Sequence, residues 1–598
     1  MLIYALLACA AAITTNAGQV PLVQLPDSRP GWGPAETYLG SPEFNGFIEE
    51  VMRNGSIPGI SLGVVRLGKD KEPIVQLGSW GRKTEDGDGH DLSPDVRIVT
   101  YCGYVSLFGI ASCSKAFLAT SLGILMDDFA HGRNVTPLPA QLARFDYETR
   151  VKDLLPGDLG WGLHAIGGDS WATDKARIQD ILGHVSGLPR HDYAYAPGDT
   201  PEAVIRRMKT LRTGYELREQ WSYNNQMFML GAHLVSRYTN GSYADFVTER
   251  ILRPLRMSST TFWPSEAQRS GKLTERWTKD GRLIPFWFDD EMTVLKGGPG
   301  GVISSAEDLV KWLAVWLNKG VDPVSGQTIF PESVYEAVTT AHWVSSGRPK
   351  PGEGIVGYGM GWFVGSYGGI NTVYHGGAIP GHSILTGFVP EHDIGVVVLA
   401  NADEKATYLQ AIVLRVLNDV LGAMSVPLVS TSTSPDRRRT GRVVDARSPS
   451  LSMEAYTGAY RAPGYNQISL CSPLRPSSDC KDVLSDFATL DSPSSANHSL
   501  YSAFNSIWAT HIRLQHFSGD VFNITFTALF PHGFGRNTSA FETAETSTSD
   551  GWVEFVVDEG RVQGFALFID RDAVEARKRR VGVDNVVLET ADAWFAKT

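Results

Sequence analysis

The segment FGIASCSKAF (108–117) places a hydroxyl and an amine three positions apart, at Ser112 and Lys115. A serine hydroxyl becomes a strong nucleophile when a neighbouring group removes its proton, and a partly desolvated lysine amine can do this. An apolar run follows, so we predict a helix from about Ser112 to Ala130. Spacing of i, i+3 would place both side chains on one helix face, and the helix N-terminus favours developing negative charge at Ser112. The pattern therefore indicates a nucleophile and its base.

Two later segments carry groups that suit the same chemistry. WSYNN (221–225) holds Tyr223 and Asn225 just before an apolar helix. A phenol near a serine and a lysine exchanges protons with both, and an amide orients the lysine or the substrate. The segment VYHGG places His375 and Gly377 at the predicted end of a strand. Glycines at such a position let a substrate backbone come close to the strand edge.

In this order, the motifs resemble the serine β-lactamase and penicillin-binding-protein superfamily. They are most similar to class C β-lactamases and to the related esterases and D-aminopeptidases. Tyr-x-Asn stands where other members carry Ser-Asp-Asn, and His-x-Gly stands where they carry Lys-Thr-Gly. The resemblance extends over residues 43–422 and rests on the ordered segments IPGISLGVV, LFGIASCSKAF, GHVSGLPRHD, WSYNN, PLRMSSTTF, GGVISSAEDLVKWL, YGMGW and HGGAIPGHSILTGFVPEHDIGVVVLAN.

The resemblance implies a role for each matching residue. Ser112 would form an acyl-enzyme, and Lys115 would take part in its deprotonation. Tyr223 would act as the general base of acylation and deliver the proton to the leaving group. Asn225 would position Lys115 and the substrate. The backbone N–H groups of Ser112 and Ala378 would form the oxyanion hole.

His375 and Gly377 are the predicted substrate-contacting residues of the His-x-Gly segment. A histidine is mostly neutral at pH 7, whereas the lysine of many lactamases is charged. A substrate carboxylate would therefore be held less firmly. This difference favours an esterase or a peptidase-like hydrolase over a true β-lactamase.

Other enzyme classes lack their signatures in this sequence. No G-x-S-x-G supports an α/β-hydrolase, and no H-E-x-x-H or His/Cys cluster supports a zinc enzyme. We interpret His184, His191 and His382 as polar loop or turn residues, and we expect neither a metal nor another cofactor. The predicted function is hydrolysis of a small-molecule ester, amide or peptide substrate. The alternatives are an acyltransferase or transesterase on the same site, and a non-catalytic peptide-binding relative.

Composition limits the partners of the chain. The net charge of −11 and the pI near 5.7 disfavour nucleic acid and anionic membranes as partners. The short basic runs RRR (437–439) and RKRR (577–580) are interpreted as a solvated linker and a solvated turn. No stretch reaches the length of a membrane helix. The sequence leaves the oligomeric state open.

The N-terminal stretch MLIYALLACAAAITTNA resembles a signal peptide spanning residues 1–17, so we expect a secreted protein. Six Asn-X-Ser/Thr sequons agree with secretion, although Pro137 disfavours the sequon at Asn134. Cys471 and Cys480 could close a disulfide in an oxidising compartment, whereas Cys113 is interpreted as a small core residue. The remaining glycosylation candidates are Asn54, Asn240, Asn497, Asn523 and Asn537.

The predicted fold class is α+β. Strands at both ends of residues 18–424 would build an antiparallel sheet with helices on both faces, and a helical subdomain would lie between them. The segment VRIVTYCGYVS (96–106) interrupts the family pattern just before the nucleophile. Residues 425–450 are rich in Pro and Ser and predict a linker. Short alternating strands in 451–598 predict an all-β, barrel-like domain, which resembles the accessory domain that restricts substrates in some relatives.

Overall fold

The computed structural model describes residues 38–86, 91–92, 106–164, 170–349, 352–422, 447–544, 551–581 and 587–598. The predicted signal peptide lies outside the described residues. So do most of the predicted linker and most of the segment 96–106.

The strands and helices are numbered in chain order. The strands are β1 (Gly59–Leu67), β2 (Pro73–Arg82), β3 (Asp91–Leu92), β4 (Phe108–Gly109), β5 (Arg276–Trp277), β6 (Leu283–Ile284), β7 (Ile303–Ser304), β8 (Trp343–Ser346), β9 (Val356–Tyr358), β10 (Phe363–Tyr367), β11 (Ile370–Ile379), β12 (His382–Val389), β13 (Ile394–Ala400), β14 (Gly458–Arg461), β15 (Ile468–Leu470), β16 (Ser499–Ala503), β17 (His511–Ser518), β18 (Val521–Phe530), β19 (Phe541–Thr543), β20 (Gly551–Asp558), β21 (Arg561–Phe568) and β22 (Ala593–Lys597). The α-helices are α1 (Pro42–Gly55), α2 (Ser114–Ala130), α3 (Val151–Leu154), α4 (Trp171–Lys175), α5 (Ile178–Leu182), α6 (Pro201–Arg207), α7 (Asn225–Thr239), α8 (Tyr243–Val247), α9 (Pro264–Arg269), α10 (Thr293–Gly300), α11 (Ala306–Leu317), α12 (Glu332–Thr339), α13 (Ala406–Leu421), α14 (Lys481–Phe487), α15 (Pro493–Ala496), α16 (Arg571–Val581) and α17 (Val587–Thr590).

The described part of the chain folds into two compact units. The first unit takes the described residues of Met1–Ala116, Val247–Trp287 and Gly300–Pro435. The second takes those of Phe117–Phe246, Phe288–Pro299 and Asp436–Thr598. The helical segment 117–246 and the C-terminal strands thus share one unit. The division of the chain into residues 1–17, 18–424, 425–450 and 451–598 stays a prediction.

The first unit is built on an antiparallel sheet, in the order β3-β2-β1-β13-β12-β11-β10-β9-β8. Strands from residues 59–92 and 343–400 meet in its centre, as the sequence predicts. Alternate residues of β1 and β13 pack with α1 and α13 on one face. On the other face α11 comes so close that a Cβ at Gly63 would meet the Val310 side chain at 2.6 Å. The predicted antiparallel sheet with helices on both faces is therefore present.

The second unit contains another antiparallel sheet, in the order β15-β14-β22-β21-β20-β18-β17-β16, with β19 paired to β18. A β-bridge between Cys471 and Tyr501 joins its two ends, so the sheet is nearly closed, as predicted for a barrel-like domain. The Cys471–Cys480 disulfide is present beside this bridge. Helices α14 to α17 also belong to this region, so the expectation of an all-β domain is only partly met.

The helical segment of the second unit packs directly on this sheet. The ring of Tyr193 stacks on Phe526 with centroids 3.8 Å apart. The indole N–H of Trp508 donates to the hydroxyl of Tyr195 at 2.9 Å, and both residues are buried. The C-terminal strands therefore supply part of the core around residues 191–195.

The run RKRR at 577–580 was predicted as a solvated turn, and this prediction is wrong. It forms the end of α16, and Arg577 is buried. Its guanidinium pairs with Asp592 at 2.8 Å and donates to the carbonyl of Thr213 at 2.9 Å. A buried guanidinium requires such partners, and only the fold brings them together from distant segments.

Replacing Arg577 should therefore destabilise the protein far more than replacing Arg580 on the same helix. Arg577→Ala leaves Asp592 buried without its cation, which costs about 3–5 kcal/mol. Arg580 pairs with Glu219 on a partly exposed surface, so Arg580→Ala should cost less than about 1 kcal/mol. Urea unfolding of both variants at pH 7 measures the difference. Equal losses would contradict the assignment of a buried ion pair.

Candidate active site

The predicted nucleophile lies on a short 3-10 turn, Ala111–Cys113, directly before α2. The α-helix begins at Ser114, two residues later than predicted, so Ser112 precedes its first turn. The amine Nζ of Lys115 donates to Oγ of Ser112 at 3.2 Å. The Lys115 side chain is fully buried, and Ser112 is half-buried. The structure thus joins the two residues in the predicted pair and removes the lysine from bulk water.

The backbone before the nucleophile adopts a conformation that few side chains tolerate. Ala111 has a φ of 49°, a left-handed value that costs an alanine on the order of 1 kcal/mol or more. Ile110 donates its N–H to the carbonyl of Val302, and Val302 donates its own N–H to the hydroxyl of Ser114. These two bonds fix the turn against the residues that precede β7. The position of the Ser112 hydroxyl is therefore set by tertiary contacts.

The strand β11 passes close to the same turn. A Cβ at Gly377 would lie 2.3 Å from the carbonyl oxygen of Ile110. The close approach predicted at this glycine is thus made by the chain's own backbone. Gly361 also allows a close backbone contact, because a Cβ at this position would meet the carbonyl oxygen of Lys115 at 2.8 Å. Any larger residue at either position would displace the turn that carries Ser112.

His375 lies inside β11, which continues to Ile379, and not at a strand end as predicted. Its backbone carbonyl accepts from the Cys113 thiol at 3.3 Å, so the strand is tied to the nucleophile turn. Its Nδ1 donates to the carbonyl of Gly376 at 2.6 Å. With the proton on Nδ1, Nε2 accepts from the hydroxyl of Tyr358 at 3.3 Å. The ring is thereby held in one tautomer and one orientation.

Burial, together with the smaller effect of the nearby charge of Lys115, lowers the pKa of His375 to about 3. The imidazole is therefore neutral at pH 7, as the sequence predicts for the His-x-Gly segment. Burial also raises the pKa of the Cys113 thiol to about 12. A neutral thiol keeps its proton and can donate to the His375 carbonyl. Cys113 is thus a buried structural residue, as predicted, and not a reactive one.

The register of the β11–β12 hairpin determines which way the N–H of Ala378 points. Ile379 pairs with His382 across a two-residue turn, and such closing pairs exchange hydrogen bonds. Alternation makes Ala378 and Ser383 a non-bonded pair, so the Ala378 N–H points away from β12. The opposite edge of β11 faces β10, which pairs with residues 370–374 only, among the described residues. It therefore does not cover Ala378. The predicted oxyanion-hole donor therefore lies on an unpaired strand edge.

Tyr223 and Asn225 belong to the second unit. Asn225 begins α7, and the side chain of Asn224 caps this helix by accepting from the N–H of Met227. The ring of Tyr223 lies 4.3 Å from that of His184, and the guanidinium of Arg190 lies 5.3 Å above it. These contacts fix the phenol next to a cation.

Asn225 is anchored by a buried carboxylate. Its amide donates to Asp192 at 3.1 Å, and Asp192 also accepts from Arg190 at 2.6 Å and from the Tyr195 hydroxyl at 2.7 Å. Burial alone would raise the pKa of Asp192, but Arg190 and Tyr195 hold it below its ordinary value. Arg190, Asp192 and Tyr358 were not predicted as site residues. They stand in the segments GHVSGLPRHD and YGMGW, which were recognised only as family motifs.

The other predicted residues have simpler environments. His184 and His191 are buried turn residues with positive φ, and His382 is buried at the start of β12. In the described part of the chain, no group of three or more His, Cys, Asp or Glu residues could hold a metal ion, and no helix could cross a membrane. Among the glycosylation candidates, Asn523 lies half-buried in β18, while the exposed ones are Asn54, Asn240, Asn497 and Asn537.

A model of the beta-lactamase family matches residues 44–417, more than half of the chain. The chain belongs to the beta-lactamase family. This membership confirms the predicted enzyme class, a serine hydrolase acting on ester or amide bonds, and the predicted α+β fold.

The chain is also similar to two named relatives and to one solved structure. The chain is 25% identical over 456 residues to the unguisins hydrolase ungD' of Aspergillus campestris, covering 72% of this chain and 77% of that protein. It is 23% identical over 401 residues to the D-aminopeptidase of Brucella ovis, covering 66% and 65%. The octameric penicillin-binding protein homologue from Pyrococcus abyssi matches with 18% identity, a TM-score of 0.49, and coverage of 88% and 97%.

The neutral His375 of this family member predicts a pH dependence of stability. A histidine whose pKa is lower in the folded state contributes its full stabilisation of the fold above the pKa of the unfolded chain, near 6.5. This stabilisation is lost as the pH falls toward the pKa of the folded state, about 3. His375→Gln removes this loss. Between pH 6.5 and pH 4 the variant should therefore lose less stability than the wild type, by up to about 3 kcal/mol. Urea unfolding at several pH values measures this difference.

Two comparisons make the result specific. Burial raises the pKa of Asp403 to about 7, with a further rise from Glu404, so this carboxyl contributes in the opposite direction. Because it is present in both proteins, the difference between them isolates His375. His375→Lys should destabilise the protein at pH 7, since it places an ammonium group at a fully buried position. Parallel pH curves for wild type and His375→Gln would show that His375 is not buried in its neutral form.

Proposed function

We propose that this protein is a secreted hydrolase that cleaves an amide or ester bond through an acyl-enzyme on Ser112. One observation carries the proposal: the fully buried amine of Lys115 lies 3.2 Å from the hydroxyl of an otherwise accessible serine. Burial disfavours the ammonium form, so the amine is suited to accept a proton. The strained Ala111 supports the same role, because backbone strain is concentrated at functional residues.

The proposed reaction has two steps. Oγ of Ser112 attacks the substrate carbonyl while its proton passes to the Lys115 amine, and Tyr223 is proposed as the second proton-transfer group. The N–H groups of Ser112 and Ala378 stabilise the oxyanion, a contribution of about 10²–10³ in rate per donor. The proton then moves to the departing amine or alcohol, and the acyl-enzyme forms. Water attacks the ester of Ser112 in the second step and releases the acid.

The neutral His375 limits the substrate class. A buried, uncharged imidazole offers no fixed positive charge to a free carboxylate. We therefore propose a peptide amide or ester without a free carboxylate beside the scissile bond. The name of one relative, a D-aminopeptidase, supports a peptide-type amide substrate. Transfer of the acyl group to an acceptor other than water is the alternative on the same site.

Secretion is part of the proposal. The apolar N-terminal stretch and the six sequons support it. The Cys471–Cys480 disulfide supports it independently, because disulfides persist mainly in oxidising compartments.

Replacing the nucleophile tests the central claim. Ser112→Ala should abolish covalent labelling by a fluorophosphonate probe, measured as the loss of the added mass in intact-protein spectra. Thermal stability should change little, because Ser112 is half-buried and loses one hydrogen bond. Ser121→Ala is the matched control, since this hydroxyl donates to the Phe117 carbonyl within the same helix. Labelling of Ser112→Ala at the wild-type rate would exclude Ser112 as nucleophile and favour a binding protein.

Replacing the phenol tests the proton transfer. Tyr223→Phe should lower kcat for a p-nitrophenyl ester about 10²-fold, the usual size of a general acid–base contribution. Its ring contacts with His184 and Arg190 remain, so the fold should be kept. Tyr238→Phe is the control, because its hydroxyl donates to the Leu154 carbonyl, a structural contact. If Tyr223→Phe retained full kcat between pH 5 and pH 10, another group would have to accept the proton.

A further inference from the structure

A cavity of about 120 Å³ lies between the first sheet and α13. Its walls include Phe363, Tyr374, Leu385, Val413 and Leu417. Tyr374 and His375 are neighbours in β11, so their side chains point to opposite faces of the sheet. The cavity therefore lies on the face away from His375, and the proposed reaction does not use it.

Two glycines lie on the strands that border β11 at this cavity. Gly387 pairs with Tyr374, and Gly365 pairs with Thr372, so they flank β11 on either side. Both glycines line the cavity. Leu385 and Val389, two positions before and after Gly387, belong to the core that packs with α13. A Cβ at Gly387 would meet Cβ of Tyr374 at 2.9 Å, so glycine at this position leaves room for the Tyr374 side chain in the cavity wall.

The charges around the cavity are of one sign. Among the described residues that line it, Glu353 is the only charged side chain, and none is Lys, Arg or His. Glu353 is half-buried, and its charge adds to the effect of burial in raising the pKa of Tyr374 to about 12. The cavity therefore has apolar walls and one negative end.

We propose that this cavity binds a small aryl- or alkylammonium ligand, with its apolar group between the sheet and α13 and its protonated amine directed to Glu353. The volume fits one aromatic ring, since an apolar cavity of about 150 Å³ in another protein binds benzene. The half-buried Gln410, Val413 and Leu414 lie at the helix side of the cavity, where α13 is partly exposed. The carboxylate distinguishes a cationic ligand from a neutral or anionic one.

Isothermal titration of the full chain at pH 7.5 tests the site with three probes of the same size. These are 2-phenylethylamine, which is protonated, 2-phenylethanol, which is neutral, and phenylacetate, which is anionic. The amine should bind with a dissociation constant on the order of 1 mM or below. The alcohol should bind more weakly, and phenylacetate should bind most weakly.

Two variants locate the binding. Glu353→Gln should weaken the amine about fivefold and leave the alcohol unchanged. Glu391→Gln is the matched control, because Glu391 is exposed and lies outside the cavity lining. Gly365→Val should weaken both the amine and the alcohol by about tenfold or more by filling the cavity. A Cβ at Gly365 meets no atom closer than 3.5 Å, so the variant should fold.

A variant that enlarges the cavity provides a second test in case Gly365→Val is unstable. Val413→Ala removes two methyl groups from the helix side of the cavity, and it should improve binding of 2-(1-naphthyl)ethylamine relative to the wild type. The proposal is overturned if no probe binds at millimolar concentration. It is also overturned if the amine binds equally well to Gly365→Val, or if Glu353→Gln keeps the preference for the amine over phenylacetate.

Discussion

The burial of the Lys115 amine next to Ser112 sets the requirements that the surrounding structure meets. Taking an ammonium out of water is costly unless it is paired or loses its proton. The helix α2 begins with this residue in its first turn, and no part of the side chain is exposed. The fold thus places a desolvated amine at 3.2 Å from a hydroxyl. That arrangement is useful only if the hydroxyl is held in place just as firmly.

The first sheet holds the turn that carries Ser112 in place. Its strand β11 is tied to the nucleophile turn through the Cys113 thiol and the His375 carbonyl, and it comes into backbone contact with Ile110 because residue 377 is glycine. The same strand presents the Ala378 N–H on its unpaired edge. One strand therefore carries the neutral histidine and the N–H group proposed as an oxyanion donor, and it also packs against the turn that holds Ser112. The register of this sheet therefore also determines where the proposed catalytic groups lie.

In the second unit, polar contacts position Tyr223 and Asn225, which the sequence predicts as site residues. Asp192 holds Asn225 and Arg190 at once, and Arg190 also covers the ring of Tyr223. The neighbouring Tyr193 and Tyr195 pack against Phe526 and Trp508 of the C-terminal sheet region. The segment that orients Asn225 is thus supported by residues more than 300 positions later in the chain. Changes in the C-terminal strands should therefore affect the helical segment directly.

The sequence alone predicted the pairing of Ser112 with Lys115, the strands and long helices of the first unit, the family and the neutral character of His375. These depend on local spacing, hydrophobic period and ordered motifs, all of which can be seen in the linear sequence. Other features of the site arise only when the chain is folded. The tertiary structure placed His375 inside a strand and Ser112 before the α-helix, because long-range bonds to Val302 and β11 override the local pattern. It converted the basic run at 577–580 into a helix with a buried arginine, because the partners of Arg577 lie at Thr213 and Asp592. It revealed Arg190, Asp192 and Tyr358, whose roles depend on neighbours that no linear spacing encodes.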